Sequence, residues 1–246
     1  MRFRNFLTSN ITRHLKNWIC KYHELALFVY YGLIGPSQGD IVRYINQRPK
    51  VFNLLGKVSE NECVLDVACG SGLYTGHLSR KTVNLVAIDA DKKQINVLRN
   101  AWKISNVNLI LADAQYLPLR GGTFDKALCI EVLEHLSDDN LGIRELSRVL
   151  VEGKMLVISS PNTSVHNFYK TTINTRVDDK DPFAHKRVGY NINELFNKLR
   201  KNGIEIIDQD ACLYYFSQRA EVHLVGRRLP AIFVSTMYFR QNHGSF

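Results

Sequence analysis

Three acidic residues lie at the ends of successive apolar runs, where their carboxylates could bind a ligand. Asp66 lies in "CVLDVA", Asp89 in "NLVAIDA" and Asp113 in "VNLILADA". The first run leads into the glycine-rich stretch "CGSGL", which predicts a tight turn before a helix. The start of a helix offers free backbone N–H groups, but Asp66 would repel a phosphate there. The arrangement therefore favours a cationic or amino-bearing ligand.

The second and third acids suit the remaining parts of a nucleoside. A carboxylate at the position of Asp89 can accept hydrogen bonds from both hydroxyls of a ribose. Asp113 would then lie near the edge of an adenine. A single acid of this kind is usually a solvated loop residue, whereas three at successive run ends beside a glycine turn indicate a binding site.

A second group of residues that could do chemistry lies in "EVLEH". Glu131, Glu134 and His135 are spaced at i, i+3 and i+4, so a helical turn would place them on one face. Two carboxylates and an imidazole on one face make half of a divalent-metal site. His185, in "DPFAHKRVGY", lies in a loop that could close over the strand ends. Without a metal, the acids would cap a helix and His135 would contact a ligand or act as a general base.

The elements that must position these residues alternate from Cys63 onward. Continuous apolar strands that alternate with amphipathic helices predict an α/β fold with a mostly parallel sheet covered on both faces. Ligands of such sheets bind at the carboxyl ends of the strands. The predicted strands are "CVLDVA", "NLVAIDA", "VNLILADA", "FDKALCI", "KMLVISSPN", "IEIIDQDACLYYFS" and "AIFVSTMYFRQ". The predicted helices are "GLYTGHLSRK", "KKQINVLRNAWKISN", "DDNLGIRELSRVLVEG" and "NINELFNKLRKNG".

The first 48 residues are predicted to form an N-terminal helical extension, followed by one domain over residues 49–246. An apolar stripe with helical spacing runs through the extension, accompanied by basic residues. Such a helix could lie on an anionic membrane, or it could pack on the domain as a lid over a ligand pocket. The stripe consists of Phe3, Leu7, Ile11, Leu15, Trp18 and Tyr22.

The composition of the chain indicates its expected partners and its expected cellular compartment. The chain has 246 residues, 45% of them hydrophobic, and a net charge of +9, which favours acidic partners. Its basic residues are spread in pairs without a recognisable RNA-binding module, so nucleic acid is a disfavoured partner. Five scattered cysteines without a Cys-x-x-Cys pair predict reduced thiols in a cytoplasmic protein. The start resembles no signal peptide, and no apolar run reaches the length of a membrane span, about 20 residues.

Four motifs resemble those of the class I methyltransferases that use S-adenosylmethionine. They are "LDVACGSG", "AIDA", "ADAQYLPL" and "FDKALCIEVLEHL", and the match covers about residues 50–210. The first motif has Ala68 where that family often has its first glycine. The resemblance implies a Rossmann-like, seven-stranded sheet of order 3-2-1-4-5-7-6 with the last strand antiparallel. It also implies S-adenosylmethionine bound by Asp66, Ala68, Gly70, Gly72, Asp89, Ala90, Asp113, Ala114 and Ile130.

The acceptor side resembles two metal-dependent groups within that family. These are the O-methyltransferases of ubiquinone biosynthesis, which belong with the type 11 methyltransferases, and the small-RNA 2′-O-methyltransferases. Both have a Glu-x-x-Glu-His pattern with a distant histidine. The resemblance implies catalytic roles for Glu131, His135 and His185, and a Mg²⁺, Mn²⁺ or Zn²⁺ ion held by Glu131, Glu134, His135 and His185.

The expected function is O-methylation of a hydroxylated small molecule, aromatic or prenylated and quinol-like. One alternative is an RNA 2′-O-methyltransferase. Another is a cofactor-binding partner protein without catalysis. The expected partners are a small-molecule acceptor and, through the extension, an anionic membrane surface, which would make the protein membrane-peripheral.

Overall fold

The computed structural model describes residues 38–102, 106–162, 185–212 and 236–239. The chain divides into two units, Met1–Ile45 and Asn46–Phe246. Of the first unit, only the beginning of helix α1 (Gln38–Leu55) is described. The predicted stripe of residues 3–22 lies outside the described residues, so its lid and membrane interpretations, and the domain boundary near residue 48, stay predictions. None of the described helices combines the length and apolarity of a membrane span.

The strands that the structure describes form one seven-stranded sheet of order β3-β2-β1-β4-β5-β7-β6. Strands β1 to β5 are parallel to their neighbours, and β7 runs antiparallel to both β5 and β6. The predicted fold class and strand order are confirmed over these strands. Their bounds are β1 Cys63–Val67, β2 Asn84–Asp89, β3 Val107–Leu111, β4 Phe124–Ile130, β5 Leu150–Pro161, β6 Ala211–Cys212 and β7 Thr236–Phe239.

Helices cover both faces of the sheet. Alternate side chains of each strand point to opposite faces, so neighbouring residues of one strand pack against different helices. The helices after α1 are α2 Leu73–Leu78, α3 Lys92–Trp102, α4 Asp139–Val149 and α5 Ile192–Lys201. Val64 and Leu128 pack in a core cluster with residues of α1 and α2. Leu65 and Ala127, which are the sequence neighbours of Val64 and Leu128, pack with residues of α4 and α5. Residues of α3 pack on Ala87.

Side chains cap two of the helices at the positions that the sequence indicates. Asp138 accepts a hydrogen bond from the Leu141 N–H at 3.0 Å at the start of α4. Asn191 accepts one from the Asn193 N–H at 2.9 Å at the start of α5. Each cap satisfies an N–H group that has no partner within its helix. The predicted helix "NINELFNKLRKNG" offers Asn191 and Asn193 as caps, and the structure uses Asn191; the helix ends shortly before Gly203, which has a φ of 77°.

Two predicted boundaries are wrong. Helix α4 was expected to continue to Gly153, but it ends at Val149 and β5 begins at Leu150. The β-branched Val151 fits a strand better than a helix, and Leu150 pairs with Phe124 ahead of a register shift that absorbs the extra residues.

The strand expected from residue 204 begins only at Ala211. Ile204 is buried in the core, but the polar residues 208–209 that follow are exposed, and Asp and Gln are poor strand formers. Asp210 instead forms an ion pair with Lys50 at 2.7 Å. Residues beyond Cys212 in this predicted strand lie outside the described part of the chain.

Candidate active site

The glycine turn after β1 is built from residues in the left-handed region of backbone conformation. Ala68, Gly70 and Gly72 have φ values of 54°, 52° and 87°. The turn is tied to the neighbouring strand by the Cys69 N–H, which donates to the Ile88 carbonyl at 2.8 Å. A Cβ added to Gly70 would meet nothing within 4 Å, so the space beside this backbone is open. The backbone conformation, not crowding, therefore requires glycine at this position.

Asp66 is the next-to-last residue of β1, two positions before Ala68 in the turn, and is only 3% exposed. Burial raises the pKa of its carboxyl group to about 7, and the nearby charge of Asp89 adds to this. A hydrogen bond from the Thr75 hydroxyl, 2.6 Å from Asp66 Oδ2, acts in the opposite direction. Asp66 is thus a carboxylate whose charge is sensitive to pH near neutrality and to a cation bound beside it.

Asp89, the last residue of β2, holds the glycine turn in place. Its Oδ2 accepts from the Gly70 N–H at 2.7 Å, and its Oδ1 accepts from the Asp91 N–H at 2.8 Å. Burial raises the pKa of Asp89, while these amide hydrogen bonds lower it. Each carboxylate oxygen keeps a further lone pair, so both can still accept from ribose hydroxyls.

The loop after β3 places Asp113 at the same edge of the sheet. The Asp113 carboxylate is exposed and accepts from the backbone N–H of Gln115 at 2.8 Å and from its side-chain Nε2 at 3.0 Å. Ala114 is buried against the core. Because β1 to β4 are adjacent and parallel, their carboxyl ends bring the predicted cofactor residues, Ala90 and Ile130 included, to one edge. Among them, the Gly70 N–H and the Asp89 carboxylate are joined directly by a hydrogen bond.

Glu131 does not share a helical face with Glu134 and His135, as its spacing predicted. Strand β4 ends at Ile130, Glu131 has a φ of 56°, and a 3₁₀ turn covers only Leu133–His135. The Glu131 side chain accepts a hydrogen bond from the Ser159 hydroxyl at 2.7 Å, and its N–H donates to the Ser159 carbonyl at 3.0 Å. These contacts hold Glu131 against the end of β5.

The structure brings together the other three residues of the predicted acceptor site. The rings of His135 and His185 lie 4.4 Å apart at an angle of 68°. Glu134 is 1% exposed and accepts from the Ser160 hydroxyl at 3.0 Å. One ligand atom from each of Glu134, His135 and His185 lies within 4.8 Å of the others. We call these three residues the acceptor cluster; Glu131 lies outside it.

The segment with His185 is docked on the 3₁₀ turn mainly through its backbone. The N–H groups of Lys186 and Arg187 donate to the Glu134 carbonyl at 2.8 and 3.2 Å. The Arg187 guanidinium donates to the Leu133 carbonyl at 2.5 Å. The Tyr190 N–H donates to the Pro161 carbonyl at 2.9 Å. At Gly189, a Cβ would lie 2.3 Å from the same Pro161 oxygen, so the close approach of these segments requires glycine.

A buried ionic network secures this docking. The Tyr190 hydroxyl lies 2.7 Å from Asp139 Oδ2, and Lys198 Nζ lies 3.0 Å from Asp139 Oδ1. Burial raises the pKa of Asp139, but the hydrogen bonds from Tyr190 and Lys198 and the charge of Arg187 outweigh it and lower the pKa. Burial and the Asp139 carboxylate raise the pKa of Tyr190. The hydroxyl therefore stays protonated and the carboxylate stays charged at neutral pH.

Several residues of the site were not identified from sequence. Ser159 and Ser160 reach the "EVLEH" acids because β5 pairs with β4 in the register Ile130↔Ser159. Gln115 reaches a loop that follows the 3₁₀ turn, with its Oε1 2.8 Å from the Asp138 N–H. The polar serines that end the apolar run "LVISS" are a signal for the first pair. Gln115 lies within the motif "ADAQYLPL", but nothing in its spacing indicates the contact with Asp138.

We predict that Asp89→Ala weakens S-adenosylmethionine binding by about 1–3 kcal/mol, a Kd increase of about 5- to 160-fold. The change removes the carboxylate that suits the ribose and also the acceptor that fixes Gly70. Calorimetric titration measures the effect. Asp91→Ala is the matched control, because its carboxylate accepts only from the Lys93 N–H in the described structure, at 2.8 Å. Equal affinity of Asp89→Ala and the unaltered protein would remove Asp89 from the site.

Comparison with known proteins identifies the domain that this geometry belongs to. A family model described as a methyltransferase domain matches residues 65–158. The chain is 29% identical over 134 residues to the ubiquinone/menaquinone biosynthesis C-methyltransferase UbiE of Haemophilus ducreyi, covering 49% of this chain and 52% of that protein. It is 28% identical over 193 residues to the O-methyltransferase rstn1 of Aspergillus nomiae, covering 69% and 83%.

A third relative, the norajmaline N-methyltransferase of Rauvolfia serpentina, is 29% identical over 133 residues, covering 52% of this chain and 46% of that protein. The chain thus spans about half the length of two of these three relatives. Among solved structures, an S-adenosylmethionine-dependent methyltransferase of Mesorhizobium loti has a TM-score of 0.60 at 16% identity, over 80% of this chain and 97% of that one. At that identity the likeness concerns the fold. Residues 65–158 are thus similar to a methyltransferase domain, and the sheet order and the structural likeness give the chain the fold of the S-adenosylmethionine-dependent methyltransferases.

Proposed function

We propose that the protein transfers the methyl group of S-adenosylmethionine to a hydroxyl oxygen of a small molecule, aromatic or prenylated and quinol-like. The observation that carries the proposal is the acceptor cluster of Glu134, His135 and His185, which follows β4 directly. The three relatives are named as C-, O- and N-methyltransferases, so their names leave the acceptor atom open. The chemistry of the cluster favours oxygen, because two imidazoles can take up the proton that a hydroxyl must lose.

The donor would lie over the carboxyl ends of β1 to β3. The carboxylate of Asp66, beneath the glycine turn, attracts the ammonium and sulfonium charges of the methionine part. The open space beside Gly70 lets that part approach the backbone. Asp89 would accept from the ribose hydroxyls, and Asp113 and Ala114 would flank the adenine.

The acceptor would approach over the ends of β4 and β5, beside the donor. Its hydroxyl oxygen attacks the methyl carbon, the C–S bond breaks with its electron pair going to sulfur, and the hydroxyl proton passes to an imidazole of His135 or His185. The products are S-adenosylhomocysteine and the methyl ether. Alignment of the two reactants and removal of one proton are the two tasks the enzyme must perform.

The acceptor cluster also fits a divalent metal ion. Ligand atoms bonded to one such ion at about 2.1 Å lie about 3–4.3 Å apart, and those of Glu134, His135 and His185 lie within 4.8 Å of one another. One carboxylate and two imidazoles suit Mn²⁺, Fe²⁺ or Zn²⁺, and Mg²⁺ less well because it prefers oxygen ligands. A bound ion would lower the pKa of the acceptor hydroxyl and orient its oxygen. Glu131, held by Ser159, is not part of this ligand set in the described structure.

A product screen tests the proposal. The full chain is incubated with S-adenosylmethionine and a panel of catechols, hydroquinones with and without a prenyl chain, and short RNA oligonucleotides, and methylated products are identified by mass spectrometry. We expect an O-methylated catechol or hydroquinone. Methylation of RNA alone would favour the 2′-O-methyltransferase alternative. Cofactor binding by calorimetry without any product across the panel would count against the proposal and favour the cofactor-binding partner.

A further inference from the structure

The side chain of Gln115 connects two loops that lie on different sides of the site. It is 9% exposed, and both its nitrogen and its oxygen make hydrogen bonds. Its Nε2 donates to the Asp113 carboxylate, 3.0 Å from Oδ2 and 3.2 Å from Oδ1. Its Oε1 accepts from the Ser137 hydroxyl at 2.9 Å and from the Asp138 N–H at 2.8 Å.

The residues at the far end of Gln115 belong to the segment that carries the acceptor cluster. Ser137 and Asp138 follow the 3₁₀ turn of Leu133–His135 after one residue, Leu136, which is buried. Asp138 is also the N-cap of α4. Gln115 therefore ties the carboxyl end of this turn to the loop after β3, while the docked segment of His185 holds the Leu133 and Glu134 carbonyls of the turn itself.

We infer that Gln115 is a positioning residue that couples the adenine-side loop to the turn carrying Glu134 and His135. The inference rests on the proposed function, in which Asp113 lies beside the adenine. A ligand that fixes the Asp113 carboxylate also fixes the donor side of the Gln115 amide. The amide is planar and rigid, so its acceptor oxygen is then fixed toward Ser137 and Asp138. Donor binding in this way prepares the acceptor side before the acceptor enters.

Substitutions can remove the hydrogen-bond donor of the Gln115 amide while they keep its acceptor. Gln115→Glu keeps oxygens that can accept from Ser137 and Asp138, but it loses the donor to Asp113 and places two carboxylates against each other. Adding Asp113→Asn to Gln115→Glu restores the missing bond with reversed polarity, because the new amide donates to the new carboxylate. Gln209→Glu, at an exposed position, is the control for the added charge.

The test uses the full chain of these variants, with two measurements on each. Calorimetry gives the Kd for S-adenosylmethionine, and amide hydrogen exchange followed by mass spectrometry gives the protection of residues 136–142 with and without saturating cofactor. In the unaltered protein and in Gln209→Glu, we expect the cofactor to slow exchange in this segment. Gln115→Glu should raise the Kd about tenfold and abolish the slowing, and the double variant should, without cofactor, recover the exchange rate of the unaltered protein in this segment to within about twofold.

Two results would overturn the inference. One is cofactor-dependent protection of residues 136–142 in Gln115→Glu that equals that of the unaltered protein. The other is a double variant whose ligand-free exchange in residues 136–142 is no slower than that of Gln115→Glu. If the unaltered protein binds no S-adenosylmethionine, the proposed function fails, and exchange in the ligand-free variants still decides the coupling. Gln115→Glu should then exchange about tenfold faster in this segment, with recovery in the double variant, whereas equal rates contradict the coupling.

Discussion

His185→Ala is expected to lower kcat by about 100-fold or more while the Kd for S-adenosylmethionine changes by less than about twofold. The imidazole of His185 faces His135 with ring centroids 4.4 Å apart, on the acceptor side of the site. Its segment is held by the backbone N–H groups of Lys186 and Arg187, which the substitution leaves in place. The loss should therefore fall on turnover and not on folding. Steady-state kinetics on the methylated product, calorimetry and thermal unfolding measure the three quantities.

A second histidine substitution controls for the loss of a ring. His77→Ala removes an imidazole that packs on Phe52, with ring centroids 4.2 Å apart, away from the acceptor cluster. It should leave kcat within about threefold of the unaltered value, as is usual for a substitution that does not touch the reacting groups. Equal kcat values for His185→Ala and His77→Ala would remove His185 from the acceptor site.

Chelation separates the two chemistries that the acceptor cluster allows. If a divalent ion is required, removal of metal should stop turnover while S-adenosylmethionine still binds, and Mn²⁺, Fe²⁺ or Zn²⁺ should restore the rate. A rate that is unaffected by chelator but is lost in His135→Ala would assign His135 as a metal-free general base. Full activity under both changes would place the acceptor elsewhere and leave the "EVLEH" acids a structural role.

The placement of the predicted cofactor residues at one edge of the sheet was predictable, because it follows from local sequence. Asp66, Asp89 and Asp113 each lie at or just beyond the end of a continuous apolar strand, and parallel strands bring such ends to one edge. The glycine turn between the first two is defined by the stretch "ACGSG" itself. Local sequence did not predict that the Asp89 carboxylate also accepts a hydrogen bond from the Gly70 N–H at 2.7 Å. This bond links two residues that were each predicted to contact the cofactor.

The acceptor half was only partly predictable because its contacts cross between strands. The i, i+3 and i+4 spacing assumed a helix at Glu131, but the left-handed conformation of that residue directs it to Ser159 on β5. The docking of Arg187 on the Leu133 carbonyl joins positions 54 residues apart. Such a contact depends on strand register and on a buried ionic network, neither of which leaves a periodic pattern in the sequence.

The pH dependence of S-adenosylmethionine binding should follow the protonation of Asp66. Burial raises the pKa of this group from 3.8 to about 7, so the carboxylate is largely neutral below that value. A cationic ligand is attracted only by the charged form, so affinity should rise as the pH increases from about 6 to 8. Stability of the free protein should change in the opposite direction. An acid with a raised pKa in the folded state loses stabilisation as the pH rises from 3.8 through about 7, by up to about 4 kcal/mol for this group.

Thr75→Val is expected to move the midpoint of this binding curve upward by about one pH unit and to raise the Kd at pH 7 several-fold. The Thr75 side chain is fully buried, and its hydroxyl donates to Asp66 Oδ2 at 2.6 Å, which lowers the pKa of the acid. Valine keeps the volume but removes the donor, and a hydrogen bond to a charged group contributes about 1.5–3 kcal/mol. The pKa of Asp66 should therefore rise further, and less of the carboxylate is charged at neutral pH.

Thr75→Ser is the matched control, because it keeps the hydroxyl and loses only a methyl group. Calorimetric titration with S-adenosylmethionine from pH 5.5 to 8.5 should give a midpoint for Thr75→Ser close to that of the unaltered protein and a higher one for Thr75→Val. Asp66→Asn should flatten the curve, since it removes the titrating group. A common midpoint for all four proteins would mean that another group, such as Asp89, controls the affinity, because burial raises its pKa as well. The hydroxyl of Thr75 would then serve the packing of α2 on β1 and have no part in holding the charge that attracts the cofactor.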